Sequence, residues 1–492
     1  MKLLSTHLRT TTALALCVLG SVASAQDCEA LSGLTIEGAE ITSAVVAPGA
    51  GGMPAYCQVN GTVDGTIGIE VRLPNQDNWN GKFNGVGNGA LAGFINGASM
   101  EAAIARGYAT ASTDTGHVGH PVEGAPPFPG FDASWAYNAE TGKRDLAALA
   151  NFGHRGTHLM TVVAKQIVSE YYGTDPSYSY FTGCSGGGQQ GLAEVQRYPS
   201  DYDGVLSSAP ANHPMAMWQG EIYPAILARG IDIPTLAEKL PAVQAAAIAQ
   251  CDALDGVEDG LIGDPTQCDF DASSVASLTE AEANVINLTY KGFMSPVDGA
   301  QVWPGFEPGS EAEWAGHLNP FFIQLGYLAY MVYEDPDWNF ADFDITDPVD
   351  FAAVQEANAV LSPLMEAIDT DITAFEVEGG KLLMWHGWSD QNIAPRNTIN
   401  YVSGVHEALG DDAADTVRLF MVPGMGHCQG GNGFTEFDAL AALEKWVEEG
   451  VAPDTLAAVS PELGLERNLC AYPEQPVYQA GDVADAASYT CE

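Results

Sequence analysis

Apolar and polar positions along the chain follow two periods, and their order gives the architecture. Residues 66–73 (Thr-Ile-Gly-Ile-Glu-Val-Arg-Leu) alternate with a period of two and predict a strand. Asn78-Trp79-Asn80-Gly81 predicts a turn, and residues 82–89 a strand running into a Gly-rich loop. Residues 140–172 carry apolar side chains three to four apart and predict helix, with Gly173 as the stop. Short strands follow at 179–182 and 204–208, with a helix at 188–198 between them. Strands alternating with helices imply a mainly parallel sheet. From about Pro210 to Phe375 the chain is instead rich in aromatics, prolines and acids. Regular alternation resumes at 381–386 and 417–422. The chain therefore reads as one α/β domain, 26–209 and 376–492, interrupted by an inserted lid domain at 210–375.

The N-terminus differs from both parts. Lys2 and Arg9 precede an apolar stretch from Ala13 to Val22, and Ala23-Ser24-Ala25 closes it. A cationic start, a short apolar run and small residues make a signal peptide over 1–25, cleaved after Ala25. The apolar run is too short to span a bilayer. The expected location is outside the cytoplasm, secreted or periplasmic.

Charge narrows the partners. Against 64 Asp+Glu stand 18 Lys+Arg, a net −46. A nucleic-acid backbone binder needs a basic face to displace counterions, so no nucleic-acid partner is expected. An anionic membrane surface is disfavoured on the same ground. Oligomeric state is not legible in the sequence.

Removal of Cys17 with the signal segment leaves eight cysteines, an even number suited to a disulfide set in an exported chain. Proximity suggests Cys28–Cys57, Cys251–Cys268 and Cys470–Cys491, which leaves Cys184 and Cys428 as the fourth pair. No Cys/His cluster has zinc spacing.

Gly183-Cys184-Ser185-Gly186-Gly187 fits G-x-S-x-G, with a predicted strand before it and a helix after it. So tight a turn accepts only small neighbours, and it lifts the serine oxygen above the sheet at a helix start that favours negative charge. An ordinary Gly-rich turn is the bland alternative, and the strand–turn–helix context favours a nucleophile. The partners should follow as an acid and then a histidine. Asp390 lies in the loop after strand 381–386, and His427 on a Gly-rich loop after strand 417–422. Either alone would read as a loop residue. Their joint order makes Ser185, Asp390 and His427 the candidate catalytic set. His386 is the rival histidine, since it ends a strand close to Asp390. A Cys184–Cys428 bridge would fix the serine loop to the histidine loop. The oxyanion donors should be the amide of Gly186 and one from Gly87-Asn88-Gly89: Gly89 first, Gly87 as alternate. Cys251 to Leu261 concentrates acids in a turn-rich stretch. Composition alone makes this a solvated acidic loop.

These motifs resemble the tannase and feruloyl esterase family of α/β-hydrolases, which includes mono(hydroxyethyl) terephthalate hydrolase. The resemblance runs through Trp79-Asn80-Gly81-Lys82-Phe83, Gly87-Asn88-Gly89, Gly183-Cys184-Ser185-Gly186-Gly187 and Cys251-Asp252-Ala253-Leu254-Asp255-Gly256. It continues through Asp335-Pro336-Asp337-Trp338, His386-Gly387-Trp388-Ser389-Asp390, Gly426-His427-Cys428 and Leu469-Cys470-Ala471-Tyr472-Pro473. It implies an α/β-hydrolase fold with a large lid and a serine carboxylic ester hydrolase working through a Ser185–His427–Asp390 triad. It also implies a structural Ca2+ in the lid, held by Asp252, Asp255, Asp259 and the carbonyls of Val257 and Leu261. The expected substrates are small esters of aromatic acids, hydroxycinnamates first, with gallate esters and terephthalate monoesters as alternatives. Lid aromatics such as Trp303, Trp314, Phe321, Tyr327 and Trp338 should supply core packing and a few ring contacts, and His386 and Ile393 should border the acyl pocket. A calcium-dependent binding protein on the same fold and a peptidase with the same triad are the competing classes.

Overall fold

The computed structural model describes residues 27–49 and 53–492. The expected signal segment, with Cys17, lies outside the described residues.

A nine-stranded sheet organises the chain. Its strands are β1 (Ala39–Ala47), β2 (Tyr56–Val63), β3 (Ile67–Pro74), β4 (Lys82–Val86), β5 (Ala109–Thr113), β6 (Tyr178–Cys184), β7 (Gly204–Ser208), β8 (Lys381–Gly387) and β9 (Val417–Val422). They lie in the order β1-β2-β3-β5-β4-β6-β7-β8-β9. The pairs β1/β2, β2/β3 and β3/β5 are antiparallel. From β5 to β9 every pair is parallel.

Both faces of the parallel half are apolar, as crossover helices on both sides require. In β8, Leu382 and Met384 face one core while Leu383 and Trp385 face another. The first core is closed by α2 (Gly156–Tyr172) and α8 (Pro395–Leu409), the second by α1 (Gly97–Ala105) and α9 (Ala439–Glu449). Helix α2 continues a short helix at Leu146–Ala150 through a π turn at Asn151–Arg155. The expected helix over 140–172 thus begins later, because Lys143–Arg144 pairs as a strand with Tyr137–Asn138.

Between β7 and β8 the chain leaves the sheet. The excursion carries α4 (Pro214–Leu227), α5 (Ile233–Cys251), α6 (Glu280–Lys291) and α7 (Pro348–Met365). Their apolar faces form a separate core with Trp218, Leu240, Trp303, Trp314, Tyr327 and Val354. That core also takes in Leu91 from the loop after β4 and Ala133, Leu149 and Phe152 from the segment after β5, so both segments help to build this layer. Conversely, Ala367, Ile372 and Phe375 pack into the sheet core, so the chain rejoins the α/β layer before residue 375.

Candidate active site

The C-terminal ends of β4, β6, β8 and β9 converge, and each carries one part of the site. Ser185 stands between β6 and α3 (Gly186–Arg197) with φ 63° and ψ −122°, a conformation costly for a non-glycine residue. Backbone bonds hold it there. Its N–H donates to the Ser208 carbonyl at 3.0 Å, and its carbonyl accepts from the Gln189 and Ala211 amides at 3.0 Å each. The motif glycines are required by close approach. A Cβ on Gly183 would lie 2.3 Å from the Gly187 carbonyl oxygen, and one on Gly186 2.7 Å from that of Ala90.

Asp390 is fully buried. The Asn392 and Ile393 amides donate to its Oδ1 at 2.8 Å each. His427 Nδ1 donates to its Oδ2 at 2.8 Å, and His386 Nε2 to the same oxygen at 3.0 Å. Burial pushes this carboxyl up, but the charge of His427 and the hydrogen bonds from both histidines outweigh it. The group stays well below the ordinary carboxylate range. Ser185 and His427 line the same cavity. Their side chains make no hydrogen bond to one another in this structure, and His427 Nε2 lies 3.7 Å from Cys428 Sγ. Catalytic contacts of this kind tighten when substrate binds.

His386 does not border the cavity. It is fully buried behind Asp390, where Nε2–H also donates to the Ile393 carbonyl at 3.0 Å and Nδ1 accepts from Thr398 Oγ1 at 2.7 Å. A residue at the end of a central strand points into the layer beneath the loops, and the expected substrate contact gives way to a brace on the acid. Ile393 does line the cavity.

Two oxyanion candidates separate on hydrogen bonding. The Gly87 N–H already donates to the Thr182 carbonyl at 2.9 Å, which removes the alternate. The Gly89 N–H has no protein acceptor among the described residues. Gly89 and Gly186 both line the cavity beside Ser185.

The cavity measures about 530 Å3. Phe128, Phe131 and Phe321 form one wall, in edge contacts with ring centroids 5.1 Å apart. Trp218, Phe152 and Ile323 also line it. Of the lid aromatics singled out above, Phe321 reaches the cavity, while Trp303, Trp314 and Tyr327 are lid core. Phe128 and Phe131 come from the segment after β5. That stretch has no regular periodicity, although the run Pro126-Pro127-Phe128-Pro129-Gly130-Phe131 marks a stiff aromatic loop.

Four disulfides join Cys28–Cys57, Cys184–Cys428, Cys251–Cys268 and Cys470–Cys491. In the loop behind Cys251, Asp252 accepts from the Asp259 and Gly260 amides at 3.0 and 2.9 Å, and Asp259 pairs with Arg467. Asp252, Asp255 and Asp259 are not drawn into one ligand cluster. Their donors are the hard oxygens calcium takes, and Arg467 offsets one charge of three. Burial and the neighbouring acids raise Asp255 to about 6. The loop packs on the site, since a Cβ on Gly424, close before His427, would lie 2.7 Å from Leu261 Cδ2.

Comparison with known proteins gives the family. The family model described as tannase and feruloyl esterase matches residues 52–492. The chain is 32% identical over 472 residues to "Probable feruloyl esterase" of Arthroderma benhamiae, covering 88% of this chain and 85% of that one. Two solved structures, an esterase and feruloyl esterase B, both from Aspergillus oryzae, superpose with TM-scores of 0.83 and 0.81 at 27% and 25% identity. Each match covers 94% of this chain and 99% of the other. Sheet order and serine turn define an α/β-hydrolase. The chain belongs to the tannase and feruloyl esterase family and is a carboxylic ester hydrolase.

Proposed function

We propose that this protein is an exported serine esterase that cleaves esters of aromatic acids, hydroxycinnamates first, through an acyl-enzyme. The observation that carries this reading is the opening of Ser185 and the Asp390-bound His427 on one cavity walled by Phe128, Phe131 and Phe321. His427 Nε2 takes the Ser185 proton as Oγ attacks the ester carbonyl. The Gly186 and Gly89 amides hold the oxyanion, each lowering the barrier by about 3 kcal/mol. His427 then protonates the leaving alcohol and activates the water that releases the acid. Asp390, acceptor of four N–H groups, stays ionised and orients the imidazole.

Four disulfides support an oxidising compartment. Among the described residues no helix is long and apolar enough to cross a membrane. The acidic loop is read as a structural calcium site. Asp252, Asp255, Asp259 and the carbonyls of Val257 and Leu261 would hold the ion, which would supply charge neutralisation beneath the His427 loop.

Burst kinetics test the acyl-enzyme. Rapid mixing of methyl ferulate with excess enzyme should release methanol before ferulate. Release of both at one rate, with no acylated Ser185 in the quenched protein, would reject it.

A further inference from the structure

We propose that His158, Glu194 and Asp201 form a binding site for a structural divalent ion of the zinc type. It lies apart from the catalytic cavity, whose lining includes none of the three, and from the acidic lid loop.

Three elements meet there. His158 stands on α2, Glu194 on α3, and Asp201 in the turn between α3 and β7. One ligand atom from each lies within 4.8 Å of the other two. His158 Nδ1 donates to Asp201 Oδ2 at 2.7 Å. Tyr198 holds the imidazole in that direction, its ring stacked on it with 3.7 Å between centroids and 6° between planes. Zinc ligands stand about 2 Å from the ion and so within about 4 Å of one another. A small side-chain adjustment brings the three atoms into that range.

Glu194 supplies the independent observation. It is 1% exposed, and neither carboxyl oxygen has a hydrogen-bond partner among the described residues. A buried carboxylate without partners is costly. The nearby cation does not pair with it, since Lys165 Nζ donates instead to the Asp201 backbone carbonyl. Burial and the neighbouring Asp201 raise the Glu194 carboxyl above the ordinary range, so the ion's competitor is a proton shared by the two carboxyls. The side chains of His158 and Asp201 remain 26% and 13% exposed, which leaves an ion a way in from solvent. One imidazole nitrogen with two carboxylates suits Zn2+ and not Ca2+, which takes oxygen alone. On binding, the carboxyls release their proton to water and the imidazole keeps its own on Nε2. The ion pins α2 to α3, the helix that follows Ser185.

The test uses the full-length mature enzyme, stripped with a chelator and then kept in excess Ca2+ so that the lid loop is closed to zinc. Calorimetric titration with Zn2+ should show one saturable site per chain, and Tm should rise by several degrees. X-ray absorption should find one imidazole in the zinc shell. Glu194→Gln and His158→Ala should each weaken Zn2+ binding at least about tenfold, while Asp255→Asn should bind as wild type does. The absence of a saturable zinc site, or zinc held with no imidazole, overturns the assignment on wild type alone. So does unchanged Zn2+ affinity in Glu194→Gln, a variant of the same shape whose folding circular dichroism verifies.

Discussion

Cys184 and Cys428 are bonded to each other, with Cα atoms 6.0 Å apart. Cys184 immediately precedes Ser185 and Cys428 immediately follows His427, so one covalent bond ties the nucleophile turn to the histidine loop across 244 residues. Cys428 also holds φ at 61°, a conformation the bridge helps to maintain. The double variant Cys184→Ala/Cys428→Ala should lose about 2–4 kcal/mol of stability. Its kcat/KM on methyl ferulate should fall at least tenfold where it is still folded, because the Ser185–His427 geometry loosens. Calorimetry and kinetics on the same sample check both. Lost stability with full kcat would reduce the bridge to a staple.

His386 braces Asp390 and does not touch the cavity. His386→Phe removes one of the four N–H groups that saturate the carboxylate and leaves the pocket wall intact. The expected result is a fall in kcat of about tenfold with KM unchanged. A raised KM with unchanged kcat would put His386 back in the acyl pocket.

Two buried acids should each contribute less to stability as pH rises through the weakly acidic range. Burial raises Glu366 from 4.5 to about 7 against hydrogen bonds from Ser362 and Met215, and Glu307 is likewise raised to about 7. Between pH 4.5 and 7 these two carboxyls keep protons in the folded chain that they have lost in the unfolded chain, so their contribution to stability drops across that window and levels above it. Glu366→Gln removes one such group. Its thermal advantage over wild type should grow from pH 4.5 to 7 by on the order of 1–3 kcal/mol. A constant difference across that range would contradict the buried-acid account.

The acidic loop gives a metal prediction. Stripping with a chelator should lower Tm by several degrees and calcium should restore it, while Asp255→Asn should weaken that response. Equal melting of chelated and calcium-loaded protein, with no calcium retained, would leave a self-capped acidic loop.

Much of the scaffold was legible because strand period and the glycine turn are local signals. Six strands and the elbow at Ser185 follow from local spacing. Gly89 against Gly87 was not decidable from the chain, since the choice depends on which amide Thr182 has already taken. His386 looked like a pocket residue by its nearness to Asp390, and only the direction of the β8 side chains shows it lies behind the acid. Phe128 and Phe131 escaped because an irregular loop carries no period.

The most direct test of the central claim is the hydrolysis of methyl ferulate by purified mature protein beside Ser185→Ala, with folding of both verified by circular dichroism. The account predicts steady ferulate release by wild type and a loss of at least about a thousandfold in the variant. A folded Ser185→Ala protein that still hydrolyses the ester at a comparable rate would contradict it.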